Sequence, residues 1–265
     1  AHYLAKYADR ALPSPVRDED FDAQPAPLRA LRAQHLANDH DAVVHLADPS
    51  PEQMHRQRAH YYANVSMIDT QVGKIIDALE ERGVLDETII VFTSDHGDCL
   101  NDHGHSQKWT MYEQSVRVPA IICGPGIEHD LQIGDLVSLM DLGPTVLELA
   151  QISPPVWMEA RSMCSYLAGD KRVVRDSVFS EHANDKILEE TEFMTMIRKD
   201  KWKLVHFVDS EEGQLFDLEA DPRESRNLWE DTEAETIKQA LLLDMLSWRI
   251  QSDRITQGFQ RQMSR

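Results

Sequence analysis

The chain has 265 residues, of which 42% are hydrophobic and 28% are charged, and its formal net charge is −19. This length allows one large domain or a domain with a smaller appendage, and the clustered apolar residues argue against a disordered chain. The acidic excess argues against nucleic acid and against a membrane surface as partners, because both require a basic protein surface. An anionic small substrate is compatible with this charge only if its site supplies local cations.

The cysteines and the first residues bear on the cellular compartment of the protein and on the position of its natural N-terminus. Cys99, Cys123 and Cys164 are widely spaced and form no metal-binding pattern, so we interpret them as reduced thiols, which leans towards a cytoplasmic location. No apolar run approaches the ~18 residues that a transmembrane helix requires. The chain begins with Ala1 rather than Met, and its first thirty or so residues resemble the middle of a loop. We therefore expect the natural N-terminus to precede residue 1.

The first half of the chain carries clear helix signals. A short helix is predicted over Pro27 to Ala37, and a long one begins where Ser50 can act as N-cap, Pro51 suits the first position and Gln53 completes a capping box. Gly83 is the predicted left-handed C-cap of the long helix. Between these ends an apolar stripe recurs at helical spacing and predicts packing on a large surface: Val65, Ile68, Val72, Ile75, Ile76 and Leu79.

The next segments predict strands. The run "TIIVFTS" at 88–94 is continuous and β-branched, which is typical of a strand buried on both faces. A second strand is predicted within 117–126, and 135–152 is predicted to form a short strand or turn and then a helix starting near Gly143. Alternating helices and strands favour a parallel sheet with covering helices.

After about residue 165 the pattern changes to antiparallel strands. "SVFSEH", "EFMTMIRKDKWKLVHFVD" and "GQLFDLEADP" predict three or four strands, with turns at Lys199 to Lys201 and at Ser210 to Gly213. An amphipathic helix is predicted over 233–250. A helix on an antiparallel sheet makes this region a small α+β appendage.

The loop after the first predicted strand carries the candidate chemistry. Asp95 and His96 follow the carboxyl end of that strand, where ligands bind in open α/β sheets, and they offer a carboxylate and an imidazole to a divalent cation. Lys108 lies thirteen residues after Asp95 and could bind an anionic oxygen. His103 and His105 could be supporting donors, general acids or polar loop residues. From these residues alone, the loop is either a metal site or a polar connection between two strands.

The motif D-H-G-x-x-L-x-D-H-G-x-x-x-K-x-x-x-Y-E-x-S-x-R-V-P runs from Asp95 to Pro119. It closely resembles the C-terminal motif of the sulfatase family, within the alkaline-phosphatase-like superfamily. The preceding helix and strand, the segment "VSLMDLGPTVLELA" and the stretch "QLFDLEADPRESRNLWED" resemble the family's flanking segments in the same order. The resemblance covers nearly the whole chain from about residue 50.

The resemblance implies roles for individual residues. Asp95 and His96 would ligate a divalent cation, with Ca²⁺ favoured and Mg²⁺ or Mn²⁺ as alternatives, and Lys108 would bind sulfate or phosphate oxygens of the substrate. Four further matching positions are expected to brace the loop: Tyr112, Glu113, Ser115 and Arg117.

The resemblance also implies the fold and its division. Residues 1–165 are expected to form the C-terminal part of an alkaline-phosphatase-like parallel or mixed sheet with helices on both faces. Residues 166–265 are expected to form a small C-terminal α+β subdomain with an antiparallel sheet. A sheet without its first strands would depend on the rest of the protein or on assembly into a homo-oligomer.

The chain departs from the family pattern at the nucleophile. The family uses a formylglycine made from the Cys or Ser of a C/S-x-P/A-x-R motif, and no convincing copy of that motif occurs in this sequence. The family's paired aspartates and its upstream histidine are also absent from the chain. We therefore expect formylglycine only in a preceding part of the protein and predict that the isolated chain has no turnover.

Three functions fit these observations. The first is a metal-dependent sulfuric ester hydrolase, of which this chain carries two cation ligands and a substrate-oxyanion lysine. The second is a phosphonate monoester or phosphodiester hydrolase of the same superfamily, because both reactions require charge neutralisation on a tetrahedral oxyanion. The third is a non-catalytic truncated relative. The first two imply a small anionic ester as substrate, and the sequence does not choose between sulfate and phosphorus esters.

Overall fold

The computed structural model describes residues 2–18, 21–37, 49–170, 175–183 and 193–263. They form two units: one contains the described residues up to Pro125 together with Arg223–Arg226, and the other contains the remaining described residues. Over these described ranges, no helix combines the length and apolarity needed to cross a membrane. The boundary predicted near residue 165 divides the domains of the family, whereas these two units are defined by contacts in space. The predicted boundary therefore stays a prediction.

Two helices of the first unit begin and end close to where the sequence predicts. Helix α1 spans Ala26–Ala37 and helix α2 spans Pro51–Glu81. The Ser50 hydroxyl accepts from the Gln53 N–H at 3.3 Å, and the Gln53 side chain accepts from the Ser50 N–H at 2.7 Å. Gly83 ends the helix with a φ of 69°. The capping box and the left-handed cap are therefore confirmed.

The expectation that the apolar stripe of α2 packs on a large surface is wrong for the described chain. Val65, Ile68 and Ile75 are 52%, 49% and 61% exposed. The buried residues of α2 lie in its N-terminal half, at Arg58, Ala59 and Ala63. Periodicity reports a helix face that favours burial, but burial also requires a partner. Among the described residues, such a partner buries side chains only in the N-terminal half of α2.

The strands of the first unit form an antiparallel pair. Strand β1 spans Ile90–Thr93 and strand β2 spans Ala120–Cys123, with Ile90 opposite Cys123. The predicted parallel pairing is wrong here, because parallel neighbours need a crossover that returns to the starting edge, usually through a substantial helix. The segment between these strands contains a long loop with a three-residue 3-10 helix at Asp102–Gly104, and then a four-residue helix, α3 at Glu113–Val116. Strand β2 therefore returns directly alongside β1.

Strand β1 is also less buried than its composition predicts. Its central residues Val91 and Phe92 are each 36% exposed, so the expectation of burial on both faces is wrong for this chain. A continuous β-branched run indicates a strand that can be covered on both sides. The described residues pair β1 with one neighbour, β2. Strand and helix placement still make the chain a mixed α/β protein, as predicted.

The second unit contains a four-stranded antiparallel sheet in the order β3-β4-β5-β6. The strands are β3 Ser177–Ala183, β4 Phe193–Lys199, β5 Trp202–Phe207 and β6 Gly213–Asp217. Its helices are α4 Leu142–Leu149, α5 Cys164–Leu167 and α6 Glu235–Met263. The predicted antiparallel strands and the terminal helix are confirmed, although α6 is longer than predicted.

The core of the second unit lies between its sheet and α6. The side chains of Ile197, Leu204 and Leu215 are buried on one face of the sheet, and Leu241 and Met245 from α6 pack against them. Ile197 lies opposite Leu204, and Leu204 lies opposite Leu215, so the three side chains share one face of the sheet. This hydrophobic layer secures α6 on the sheet.

Candidate active site

The turn that carries Asp95 and His96 starts directly after β1 and is fixed to α3. The Gly97 N–H donates to the Ser115 carbonyl at 2.8 Å. A Cβ atom at position 97 would lie 1.9 Å from the Gln114 carbonyl oxygen, closer than any non-bonded contact allows. Glycine is therefore required here by the close approach of α3, and that approach defines where the two preceding side chains lie.

Asp95 and His96 direct their side chains towards each other. The Asp95 Oδ2 and His96 Nε2 atoms are 3.4 Å apart, and the His96 Nδ1 lies 2.8 Å from the Gly97 carbonyl oxygen. An Nδ1–H that donates to that carbonyl leaves the Nε2 lone pair free on the side that faces Asp95. Two ligands at right angles about 2.3 Å from one cation lie about 3.3 Å apart. The separation and the tautomer therefore fit a shared divalent cation.

Local hydrogen bonds favour the ionised form of Asp95. The backbone N–H of His96 donates to Asp95 Oδ1 at 3.0 Å and lowers the pKa of the Asp95 carboxyl. The Ser94 hydroxyl contributes a weaker hydrogen bond at 3.4 Å. Asp95 is exposed, so its carboxylate is accessible to a cation.

These two donors do not form a closed metal site. Over the described ranges, no group of three or more His, Cys, Asp and Glu side chains is placed to hold a metal ion. The sequence likewise predicts two ligands from this chain, Asp95 and His96. Whether Asp95 and His96 ligate a cation stays a prediction, supported by the convergence of the pair.

Lys108 lies at the far end of the same loop and is exposed. Its ammonium nitrogen is 5.7 Å from the centroid of the Trp109 ring, and its backbone carbonyl accepts a hydrogen bond from the Ser115 hydroxyl at 3.2 Å. The structure thus connects Lys108 and the Asp95–His96 turn to the same short helix. Binding of substrate oxygens by Lys108 stays a prediction.

The structure decides the open question about His103. Its side chain is fully buried, and its ring stacks on Tyr112 with centroids 3.7 Å apart and planes 2° from parallel. The ring Nδ1 contacts the Asp18 carboxylate, and the His103 N–H donates to the Val16 carbonyl at 2.9 Å. His103 therefore packs the loop against residues 16–18 rather than facing a substrate.

His105 is likewise an internal residue. Its Nε2 lies 3.0 Å from the Gln24 side-chain oxygen, and the Gln24 amide nitrogen donates to the His103 carbonyl at 2.9 Å. Burial lowers the pKa of His105 to about 3. A neutral, enclosed imidazole of this kind is a packing residue and not an accessible general acid.

A buried ion pair also holds the middle of the loop. The Asp102 carboxylate accepts the Val16 N–H at 2.8 Å and pairs with Arg58 of α2. The same guanidinium donates to the Leu100 carbonyl at 3.2 Å. Because each charge has a partner and further hydrogen bonds, the pair joins the loop to α2 without leaving an uncompensated buried charge.

Cys99 lies in this loop and is not a candidate nucleophile. Burial raises the pKa of its thiol to about 12, and the sulfur lies 3.3 Å from the Thr110 hydroxyl. The thiolate is the reactive form of cysteine, so such a thiol is unreactive at neutral pH.

Glu224 is a functional neighbour of the site that is not predicted from the sequence. Its buried carboxylate accepts the N–H of Glu113 at 2.7 Å, at the first residue of α3. Carboxylates stabilise helix N-termini because the first N–H groups have no partner within the helix. Glu224 lies in the "DPRESRNL" stretch that carried part of the resemblance, which was the available signal, but no role was derived for it.

Comparisons with known proteins match these segments. The family model described as "Sulfatase" matches residues 4–152, and the model described as "N-sulphoglucosamine sulphohydrolase, C-terminal" matches residues 101–251. Choline-sulfatase of Rhizobium meliloti (strain 1021) is 39% identical over 187 residues, which cover 69% of this chain and 35% of the relative. Arylsulfatase K of Mus musculus is 37% identical over 179 residues, covering 64% and 32%.

A solved structure has the same fold. The phosphonate monoester hydrolase SpPMH from Silicibacter pomeroyi matches with a TM-score of 0.80 and 26% sequence identity, over 91% of this chain and 51% of that chain. The chain therefore spans about a third of the length of these curated relatives and about half of the solved neighbour. These matches confirm the resemblance and the alkaline-phosphatase-like fold class. On the strength of the two family models, the chain belongs to the sulfatase family.

Proposed function

We propose that this chain is the part of a sulfuric ester hydrolase that binds the divalent cation and an oxyanion of the substrate. The observation that carries this proposal is the convergence of Asp95 Oδ2 and His96 Nε2, 3.4 Å apart on a turn fixed to α3. Lys108 is connected to the same helix through Ser115, and its ammonium group places a positive charge in a chain of net charge −19.

Each residue has a distinct part in this function. The Asp95 carboxylate supplies negative charge to the cation, and the His96 Nε2 supplies a neutral donor whose orientation is held by the Gly97 carbonyl. When bound, the cation supplies charge neutralisation to the reacting oxyanion. The Lys108 ammonium adds a positive charge at a substrate oxygen, and both effects favour a transition state that develops negative charge.

The nucleophile is not part of the proposed contribution of this chain. The sequence has no C/S-x-P/A-x-R motif from which formylglycine is made in the family, and Cys99 is buried with a raised pKa. Purified 265-residue chain is therefore expected to release no product from an aryl sulfate. Hydrolysis of the aryl sulfate over many turnovers by that chain would overturn this assignment of roles.

A phosphonate monoester hydrolase is the second candidate function. The similarity to the solved phosphonate monoester hydrolase favours it, with its TM-score of 0.80. Cation ligands and a lysine stabilise tetrahedral phosphorus oxyanions as well as sulfur ones. Titration of the calcium-loaded chain with inorganic sulfate and with methylphosphonate compares the two classes. Tighter binding of sulfate supports the first candidate, and tighter binding of methylphosphonate supports the second.

Calorimetry with Ca²⁺ tests the cation site directly. The chain is expected to bind Ca²⁺ weakly, because two protein donors leave most of the coordination sphere to water. Asp95→Ala should abolish the binding signal. The matched control is Asp135→Ala, which removes another exposed aspartate and should leave the signal unchanged. Calcium binding that survives Asp95→Ala would contradict the proposed site.

A further inference from the structure

We propose that Ser115 is a positioning residue that sets the placement of Lys108 relative to the Asp95–His96 turn. This inference rests on the proposed function, because it concerns how the cation ligands and the oxyanion lysine are held together. Ser115 itself touches neither the cation nor the substrate in this proposal. It acts through the backbone of Gly97 and of Lys108.

Ser115 makes one hydrogen bond to each end of the loop. Its backbone carbonyl accepts the Gly97 N–H at 2.8 Å, one residue after His96. Its hydroxyl donates to the Lys108 carbonyl at 3.2 Å. The residue is buried, so water does not compete freely for either bond. One side chain and one carbonyl of a single residue therefore link the two functional parts of the loop.

The helix that presents Ser115 is itself held in place. The Ser115 N–H donates to the Tyr112 carbonyl at 2.8 Å, and the Glu113 N–H donates to the Glu224 carboxylate at 2.7 Å. On the other side, the Gln114 carbonyl approaches Gly97 so closely that no side chain fits. Ser115 is thus a fixed reference point rather than a mobile loop residue.

The loop between the two anchors does not fix Lys108 by regular structure. Several of its residues have left-handed backbone conformations, which L-residues adopt only when surrounding contacts hold them. They are Leu100, Asn101, His103 and Gln107, with φ values of 47°, 69°, 55° and 60°. Gln107 directly precedes Lys108, so the backbone changes direction just before the lysine. Gln107 is held by Asp98, whose carboxylate accepts its N–H at 3.1 Å, and by Cys99, whose N–H donates to its carbonyl at 2.9 Å. After this change of direction, the Ser115 hydroxyl donates to the Lys108 carbonyl.

Ser115→Ala separates the two hydrogen bonds. It removes the donor to Lys108 and keeps the carbonyl that accepts from Gly97. We expect sulfate affinity of the calcium-loaded chain to fall about fivefold, which is the size of effect that one net hydrogen bond produces. Calcium affinity should stay within about twofold of wild type, because the Asp95–His96 turn keeps its own anchor.

The test combines ligand titration with backbone NMR of the whole chain. Backbone order at the Lys108 carbonyl is read from the Trp109 amide, because the two groups share one peptide plane. Its order parameter should fall in Ser115→Ala from values near 0.85, typical of rigid backbone, to roughly 0.6, while amide protection at Gly97 is retained. Ser115→Thr keeps the hydroxyl and should restore both the order parameter and the sulfate affinity. Ser106→Ala removes another hydroxyl from the same loop and should change neither quantity.

The outcomes distinguish this inference from the proposed function. Loss of order at Lys108 in Ser115→Ala, with rescue by Ser115→Thr, supports the inference. Unchanged order at Lys108, or equal loss at Lys108 and Gly97, overturns it, because the residue would then be irrelevant or only a general packing residue. If wild-type chain binds neither Ca²⁺ nor sulfate, the proposed function fails, while the NMR comparison still decides how Lys108 is positioned.

Discussion

At the scale of single residues, the candidate site depends on contacts that leave little room for substitution. Gly97 lies against the Gln114 carbonyl, and His103 is enclosed between Tyr112 and Asp18. Asp95 and His96, by contrast, are accessible. Reactive groups at the surface are thus supported by buried neighbours that limit where they point, which is the arrangement that precise ligand geometry requires.

Gly97→Ala is expected to destabilise the chain and to disrupt calcium binding. The new methyl group would overlap the Gln114 carbonyl at 1.9 Å, so the turn or α3 must move. Overpacking of this kind costs about 1–3 kcal/mol, measurable by urea denaturation. The matched control is Gly73→Ala within α2, where no atom lies within 4 Å of the new Cβ. That change should stabilise the chain by up to about 1 kcal/mol, and equal effects of the two variants would contradict the steric argument.

His105 should make the stability of the chain depend on pH. Burial lowers its folded pKa from 6.5 to about 3, with smaller contributions from His103, His35 and Arg32. Between these values the unfolded chain binds one more proton than the folded chain at this residue. The contribution is therefore intact above about pH 6.5 and is lost as the pH falls towards 3, by at most about 1.4 kcal/mol per pH unit.

Urea denaturation at pH 7, 6 and 5 checks the His105 prediction. His105→Gln keeps an amide group that can reach Gln24 but cannot titrate, so its stability should fall less steeply over this range than that of wild type. His129→Gln replaces an exposed histidine and should leave the wild-type slope unchanged. An unchanged slope in His105→Gln would show that other groups cause the pH dependence.

At the scale of elements, the ends of a helix can be predicted from the sequence more reliably than the elements against which it packs. The ends of α2 follow from Ser50, Gln53 and Gly83, because capping involves only neighbouring residues. The antiparallel return of β2 and the exposure of the α2 stripe could not be predicted the same way, because pairing and burial depend on distant parts of the chain. The same limit applies to Glu224, which reaches α3 from 111 positions away in sequence.

Helix α3 is expected to depend on Glu224 for its position. Glu224→Ala removes this acceptor of the Glu113 N–H and should cost about 1 kcal/mol or more, since a part-buried N–H loses a hydrogen bond to a carboxylate. Glu224→Gln retains a carbonyl oxygen and should recover most of this loss. The measurement is the free energy of unfolding in urea. Equal stability of wild type and Glu224→Ala would contradict a bracing role.

At the scale of the whole molecule, the candidate site could be predicted from the order of residues within one loop rather than from the overall composition. Asp95, His96 and Lys108 could be proposed because one loop carries all three, and the structure fixes both ends of that loop on α3. The convergence of the first two side chains could not be read from their adjacency, because it depends on the His96 hydrogen bond to Gly97 and on the close approach of Gln114. Adjacency in the sequence does not by itself determine the directions in which two side chains point.

Exposed apolar side chains on α2 lead to a prediction about association. Val65, Ile68 and Ile75 lie on one face of the helix and are about half exposed or more. Contiguous apolar surface of this kind favours association, because its contact with water is unfavourable. We therefore expect the average mass of the purified chain, measured by sedimentation, to rise with concentration over the micromolar range.

Ile68→Gln combined with Ile75→Gln should weaken this association at least about tenfold, because each buried isoleucine contributes about 1.5–3 kcal/mol. Val156→Gln is the control, since Val156 is an exposed apolar residue that does not belong to the α2 face. If the double variant associates as strongly as wild type, another surface is responsible. If wild type stays monomeric at all concentrations, the α2 face remains in contact with water in the isolated chain, and the association prediction is wrong.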